Sequence, residues 1–373
     1  MSKTDHHLNL EEDFFYHDRK SEKKHRKALS AKDRSKYKKT DQEKLSPKTS
    51  QQEPSPHSKQ GRVLAIQPEG MIVESDDAQY LCSLKGSLKQ EKTLKKNLVA
   101  VGDFVLFEPT DTSTGVVVAI QPRYSVLSRA DNLRKNKEQL IAVNIDQVFI
   151  VVSAVVPRLK PSLVDRYIIA AKQGNMNPVI VINKIDLLTN PPADVDQATF
   201  EEELAMYQAF VQIYAELDIP LIEVSCLTGQ GIKELKTLME NKASVFSGQS
   251  GVGKTTLINT LLGTSLKTAD IVSKTYKGSH TTTAATLIPL EHHGFCIDTP
   301  GIRSFGIWQI KPQDVQQYFS EFQEFSPHCR YQNCLHLEEP QCAVKEACEQ
   351  GLISPMRYES YCNLVLIPDD TWR

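Results

Sequence analysis

The run Gly248-Gln249-Ser250-Gly251-Val252-Gly253-Lys254-Thr255 constrains this chain more than any other stretch. Its G-x-x-x-x-G-K-T spacing is built to hold phosphate oxygens, and it needs a strand before it and a helix behind it. Both are predicted. Ala243-Ser244-Val245-Phe246 reads as a short strand, and Thr256 to Leu262 as an amphipathic helix whose N-terminus faces the phosphates. The glycines let backbone N–H groups turn inward, Lys254 reaches the β/γ oxygens, and the Thr255 hydroxyl suits Mg²⁺. Alone, such a loop says nucleotide and little more.

Residues that select the base lie upstream. The apolar run Val179 to Ile182 ends in Asn183-Lys184-Ile185-Asp186. A carboxylate at Asp186 accepts from both N1–H and the exocyclic amine of guanine, an arrangement adenine does not offer. The Lys184 stem covers the purine ring, and Asn183 bonds the base or braces the phosphate loop. A second run, Pro220 to Val224, ends in Ser225-Cys226-Leu227-Thr228-Gly229, whose backbone N–H groups suit guanine O6. Downstream, Gly278-Ser279-His280-Thr281-Thr282-Thr283 offers Thr281 or Thr282 to Mg²⁺. The run Phe295 to Gly301 then supplies Asp298, which meets Mg²⁺ through water, and the Gly301 N–H for the γ-phosphate.

The order base, base, phosphate, switch one, switch two resembles the circularly permuted GTPases, and among them the bacterial ribosome small-subunit-dependent GTPase A family, over most of residues 61–363. The resemblance implies a GTP hydrolase in late maturation of the small (30S) ribosomal subunit. It also implies stimulation by that subunit, and GTP, GDP, the subunit and its rRNA as partners. Two other readings fit the motifs: a GTP-dependent binder of another structured RNA, and an adaptor that binds GTP without hydrolysis. Ile302 stands where many GTPases carry a water-orienting glutamine, which leaves His280, next to the switch-one threonines, either to position the water, as the family motif implies, or to serve a purely structural role in switch one.

The rest of the chain is read around this centre. With 373 residues it is too long for one typical domain. Residues 1–60 are expected to be a disordered basic and polar tail, 61–128 an OB-type barrel of five short strands, 129–308 the permuted α/β GTPase domain, and 309–373 a mostly helical zinc-binding domain. Cys329, Cys334, His336 and Cys342 suit one structural Zn²⁺, with His328 and Cys348 as substitutes on chemistry alone; the resemblance favours the first four. Arg330, Lys345 and Arg357 are available for phosphates in this reading, and the zinc segment is expected to hold few large apolar residues. A net charge of -2 argues against a globally basic nucleic-acid coat, and the eight cysteines, most of them clustered, suit a reducing compartment. The expectation is a cytoplasmic monomer with no membrane partner.

Overall fold

The computed structural model describes residues 56–86, 88, 98–130, 138–263, 285–290, 293–298 and 310–366. Period-two alternation closes the first module. Strands β1 (Lys59–Ile66), β2 (Met71–Ser75), β3 (Ala78–Leu84), β4 (Phe104–Pro109) and β5 (Thr114–Ile120) form a closed barrel in the order β1-β2-β3-β5-β4, with β4 pairing back onto β1. Every second side chain points inward, so Met71, Val73, Tyr80, Cys82, Val105 and Phe107 fill the interior. Each of the five expected strands is present. Tyr80 and Phe107 are consumed by this packing and offer no stacking platform for bases. Beyond the barrel, β6 (Val126–Ala130) pairs antiparallel with β7 (Glu138–Val143).

The nucleotide domain is a six-stranded sheet. Its strands are β8 (Gln147–Ser153), β9 (Asn177–Asn183), β10 (Leu221–Glu223), β11 (Ala243–Ser247), β12 (Thr286–Pro289) and β13 (Phe295–Asp298). They lie in the order β10-β9-β8-β11-β13-β12, all parallel except β12 against β13. Along β8, Val148, Ile150 and Val152 join one core while Phe149 and Val151 join another, so both faces are covered and the strand reads as an unbroken apolar run. Helices α1 (Pro161–Gln173) and α2 (Gln197–Ala215) cover the first face; α3 (Ile232–Met239) and α4 (Lys254–Leu262) cover the second. The chain enters mid-sheet at β8, builds outward to β10, then returns to β11 on the other side of β8. That reversal leaves a crevice at the carboxyl ends of β8 and β11, where ligands of such sheets bind.

The C-terminal module contains α5 (Pro312–Val315), three short 3₁₀ turns, α6 (Ala343–Glu349) and α7 (Pro355–Leu366). After Val315 the chain tightens from α-helical to 3₁₀ geometry. Phe319, Phe322 and Tyr361 are fully buried, with ring centroids 4.8–5.3 Å apart. The module therefore has an aromatic core, contrary to the expectation of few large apolar residues. This core continues through α1 and α2 to Leu64 and Val101 of the barrel.

Arg357 corrects the sequence reading. It is 3% exposed, and it pairs with Asp165 of α1 and with Glu321 rather than waiting for phosphate. Arg357 shares one helical face with Tyr361, Leu364 and Val365, so α7 carries it inward by periodicity. Its guanidinium lies over the Phe319 ring at 4.3 Å and that of Tyr214 at 5.3 Å. Among the described residues, no helix is long and apolar enough to cross a membrane.

Candidate nucleotide and metal sites

The phosphate loop leaves β11 through Gly248, at φ 140°, where a Cβ would lie 2.0 Å from the Val151 carbonyl oxygen. Only glycine lets the loop start this close to β8. The loop ends at Gly253, which opens α4 at φ 91°. Lys254 folds back across the loop, its Nζ donating to the Gly248 and Gln249 carbonyls at 2.6 Å each. Thr255 and Thr256 are exposed at the start of α4, so the Thr255 hydroxyl is open to a cation beside a bound phosphate. Ser250 and Val252 complete the loop, with Val252 buried against the α3–α4 core.

The predicted base loops converge on this loop. Asn183, 2% exposed at the end of β9, donates from Nδ2 to the Val252 carbonyl at 2.9 Å. Lys184 adopts a left-handed backbone conformation, and its Nζ donates to the Val156 and Gly251 carbonyls at 2.8 and 2.7 Å. Asn183 and Lys184 thus both donate to backbone carbonyls of the phosphate loop. Ser225 Oγ donates to Asp186 Oδ1 at 2.5 Å and accepts from the Leu227 and Thr228 amides at 3.2 Å. The carboxylate is therefore aimed by a hydroxyl that is itself held by the backbone. Cys226 Sγ lies 3.8 Å from Asn183 Oδ1, joining the two base loops. His280, Thr281, Thr282 and Gly301 lie outside the described residues, and of Asp298 only its place at the end of β13 is described.

Cys329, Cys334, His336 and Cys342 come together with all ligand atoms within 4.8 Å of one another. His328 and Cys348 are not part of this group. The spacing can be tested against zinc. Bonds of about 2.3 Å to sulfur and about 2.0 Å to nitrogen set tetrahedral edges of about 3.8 Å for S···S and about 3.5 Å for S···N. Cys329 Sγ is 3.8 Å from Cys342 Sγ, and His336 Nδ1 is 3.6 Å from Cys329 Sγ and 3.3 Å from Cys342 Sγ. The donor set fits Zn²⁺. Burial pushes the Cys334 thiol up to about 12 and moves His336 down, so a dication would take up a thiolate set that is costly to form without it.

The loop that carries these ligands is held from several sides. Glu339 accepts from the Leu335 and Leu337 amides, while the Tyr358 and Tyr361 hydroxyls donate to the His336 and Leu335 carbonyls. Asp165 and Glu321, which flank Arg357, were absent from the sequence reading. Asp165 did carry a signal: a carboxylate on one helical face with Ile168 and Ile169 demands a buried partner.

Comparison with known proteins agrees with this geometry. The description "RsgA GTPase" matches residues 120–308. A protein of Chlorobaculum parvum named small ribosomal subunit biogenesis GTPase RsgA is 42% identical over 315 residues, covering 82% of this chain and 96% of that protein. A Bacteroides thetaiotaomicron protein named small ribosomal subunit biogenesis GTPase RsgA 2 is 36% identical over 79% of this chain and 92% of its own length. The crystal structure of YjeQ from Thermotoga maritima superposes with a TM-score of 0.65 at 31% identity, over 83% of this chain and 97% of that one. The structure of YloQ, described as a circularly permuted GTPase, gives 0.62 at 25% identity over 85% and 96%. Because relatives align over nearly their whole length and the family's region spans the permuted sheet and its phosphate loop, this chain belongs to the RsgA GTPase family.

Proposed function

We infer that this GTP hydrolase acts in late maturation of the small ribosomal subunit and is stimulated by that subunit and its rRNA. The observation that carries the nucleotide half is the bonding of Asn183 and Lys184 to the phosphate loop, with Asp186 aimed by Ser225. Base and phosphate sites are thereby one rigid unit. The subunit half is supported by the names of relatives matched over 92–96% of their lengths. In this reading residues 248–256 cradle the phosphates, and the Lys254 ammonium turns from loop carbonyls to the β/γ oxygens. Asn183, Lys184, Asp186, Ser225 and Cys226 enclose guanine. Thr255 and either Thr281 or Thr282 would hold Mg²⁺, with Asp298 meeting it through water, and the ion would supply charge neutralisation at the phosphates. The Gly301 amide meets the γ-phosphate and His280 orients the attacking water.

The zinc set of Cys329, Cys334, His336 and Cys342 serves a structural role, because four protein ligands leave no open position. The barrel at 61–128 and the zinc domain at 309–373 are assigned to subunit contact, the tail at 1–60 to a basic polar arm, and the cytoplasm to the working compartment of a monomer.

The test is GTP hydrolysis with no RNA, with isolated small subunits, with large subunits and with free rRNA. The expected result is stimulation by small subunits above all others. Equal stimulation by free rRNA points instead to a general structured-RNA partner, and phosphate release at background in every arm points to a non-hydrolysing adaptor.

A further inference from the structure

The two nitrogens of His336 have different partners. Nδ1 faces the sulfur atoms of Cys329 and Cys342, while Nε2 lies 2.8 Å from Gln316 Oε1. Gln316 sits twenty residues before His336, in the 3₁₀ turn that continues α5, outside the ligand run. Its amide is oriented independently: Nε2 donates to the Gln313 carbonyl at 3.1 Å, which leaves Oε1 as the atom turned to the histidine. An acceptor in that place requires the proton on His336 Nε2. The lone pair then resides on Nδ1, on the sulfur side.

The histidine has little freedom to meet the ion another way. Its backbone is left-handed at φ 56°, its carbonyl accepts from Tyr358, and the Phe322 ring meets its own edge-on at 5.8 Å and 84°. We propose that Gln316 is the positioning residue of the metal site: its side-chain oxygen selects the His336 tautomer that presents Nδ1 to zinc, and this bond fastens the Pro312–Tyr318 element to the metal loop. The inference rests on the zinc assignment above. Partners of this kind raise the basicity of a ligating imidazole and are worth about 10- to 100-fold in metal affinity.

The test uses the full-length chain, with zinc affinity measured by competition against a chelating indicator. Gln316→Leu keeps the size and removes the acceptor, and a 10- to 100-fold weaker affinity is expected. Gln316→Glu restores an acceptor and is expected to bind within threefold of the parent. Long-range ¹⁵N–¹H spectra of the zinc-loaded parent should show His336 protonated at Nε2 and metal-bound at Nδ1. Hydrogen exchange over residues 312–318 should slow on zinc loading in the parent, and not in Gln316→Leu. A parent that holds no zinc overturns the metal assignment and this inference with it. Zinc in the parent with unimpaired affinity in Gln316→Leu, or metal on Nε2, overturns the inference alone.

Discussion

Replacing Arg357 with methionine tests the junction between the C-terminal module and the nucleotide domain. Methionine keeps most of the volume under Phe319 but removes the cation, and the carboxylates it leaves behind fare differently. Glu321 is 19% exposed and turns to water; Asp165 is 1% exposed and cannot. Stranding one member of a buried pair costs about 3–5 kcal/mol. The Tyr214 hydroxyl still donates to Asp165 Oδ1 at 2.8 Å, which holds the loss toward the lower end, about 3–4 kcal/mol.

The deficit has a pH signature. Burial pushes the Asp165 carboxyl above its ordinary range, and Arg357 is the main group pulling it back. Without Arg357 it rises further and retains a proton. An acid whose folded pKa exceeds its unfolded value binds more protons in the folded state, so its contribution falls as pH rises from the unfolded value through the folded one. The variant should therefore be less impaired at about pH 5 than at about pH 8. Urea unfolding of the full chain, followed by far-UV circular dichroism at both pH values, measures this. Adding Asp165→Asn removes the stranded charge and should recover more than half of the loss. A deficit below about 1 kcal/mol, or a double variant no better than the sum of the singles, would refute the reasoning.

Three further outcomes are expected. Asp186→Asn loses the acceptor that matches the two guanine donors and should weaken GTP binding by about 2–4 kcal/mol, with reduced discrimination in a purine competition assay. Gly248→Ala places a Cβ 2.0 Å from the Val151 carbonyl oxygen and should abolish nucleotide binding in calorimetry while the barrel strands retain their hydrogen-exchange protection; parent-like affinity sinks the close-approach argument. Cys334→Ser should lower zinc content below one per chain by metal analysis after dialysis and raise exchange over residues 312–363, with GTP still bound.

What could be read in advance divides by the reach of the interaction. The phosphate loop was legible because local chemistry dictates its glycines, and β8 and β9 because a strand buried on both faces is a continuous apolar run. The permuted order was legible since motif order along the chain is itself the connectivity. The parallel pairing of β3 with β5 was not, because alternation reports which face is buried and says nothing of the neighbour. Charges between Ala130 and Glu138 disguised the β6–β7 hairpin. Arg357 was misread as a surface cation because its partner Asp165 lies 192 residues away. Gln316 gave no signal at all; an isolated glutamine acquires meaning only when His336 is beside it.

The Asp165–Arg357 pair also bears on inheritance. Residue 165 belongs to the nucleotide domain and residue 357 to the C-terminal module, so a recombination breakpoint anywhere between them separates the two charges. A chimera that takes its C-terminal module from a donor lacking the arginine strands this domain's aspartate; the reciprocal cross buries an arginine with only Glu321 for company. Interchange of these modules between lineages is favoured when both positions travel together or are replaced together, and a pair of residues separated by just over half the gene is bound into a single heritable unit by the cost of keeping one charge dry and alone.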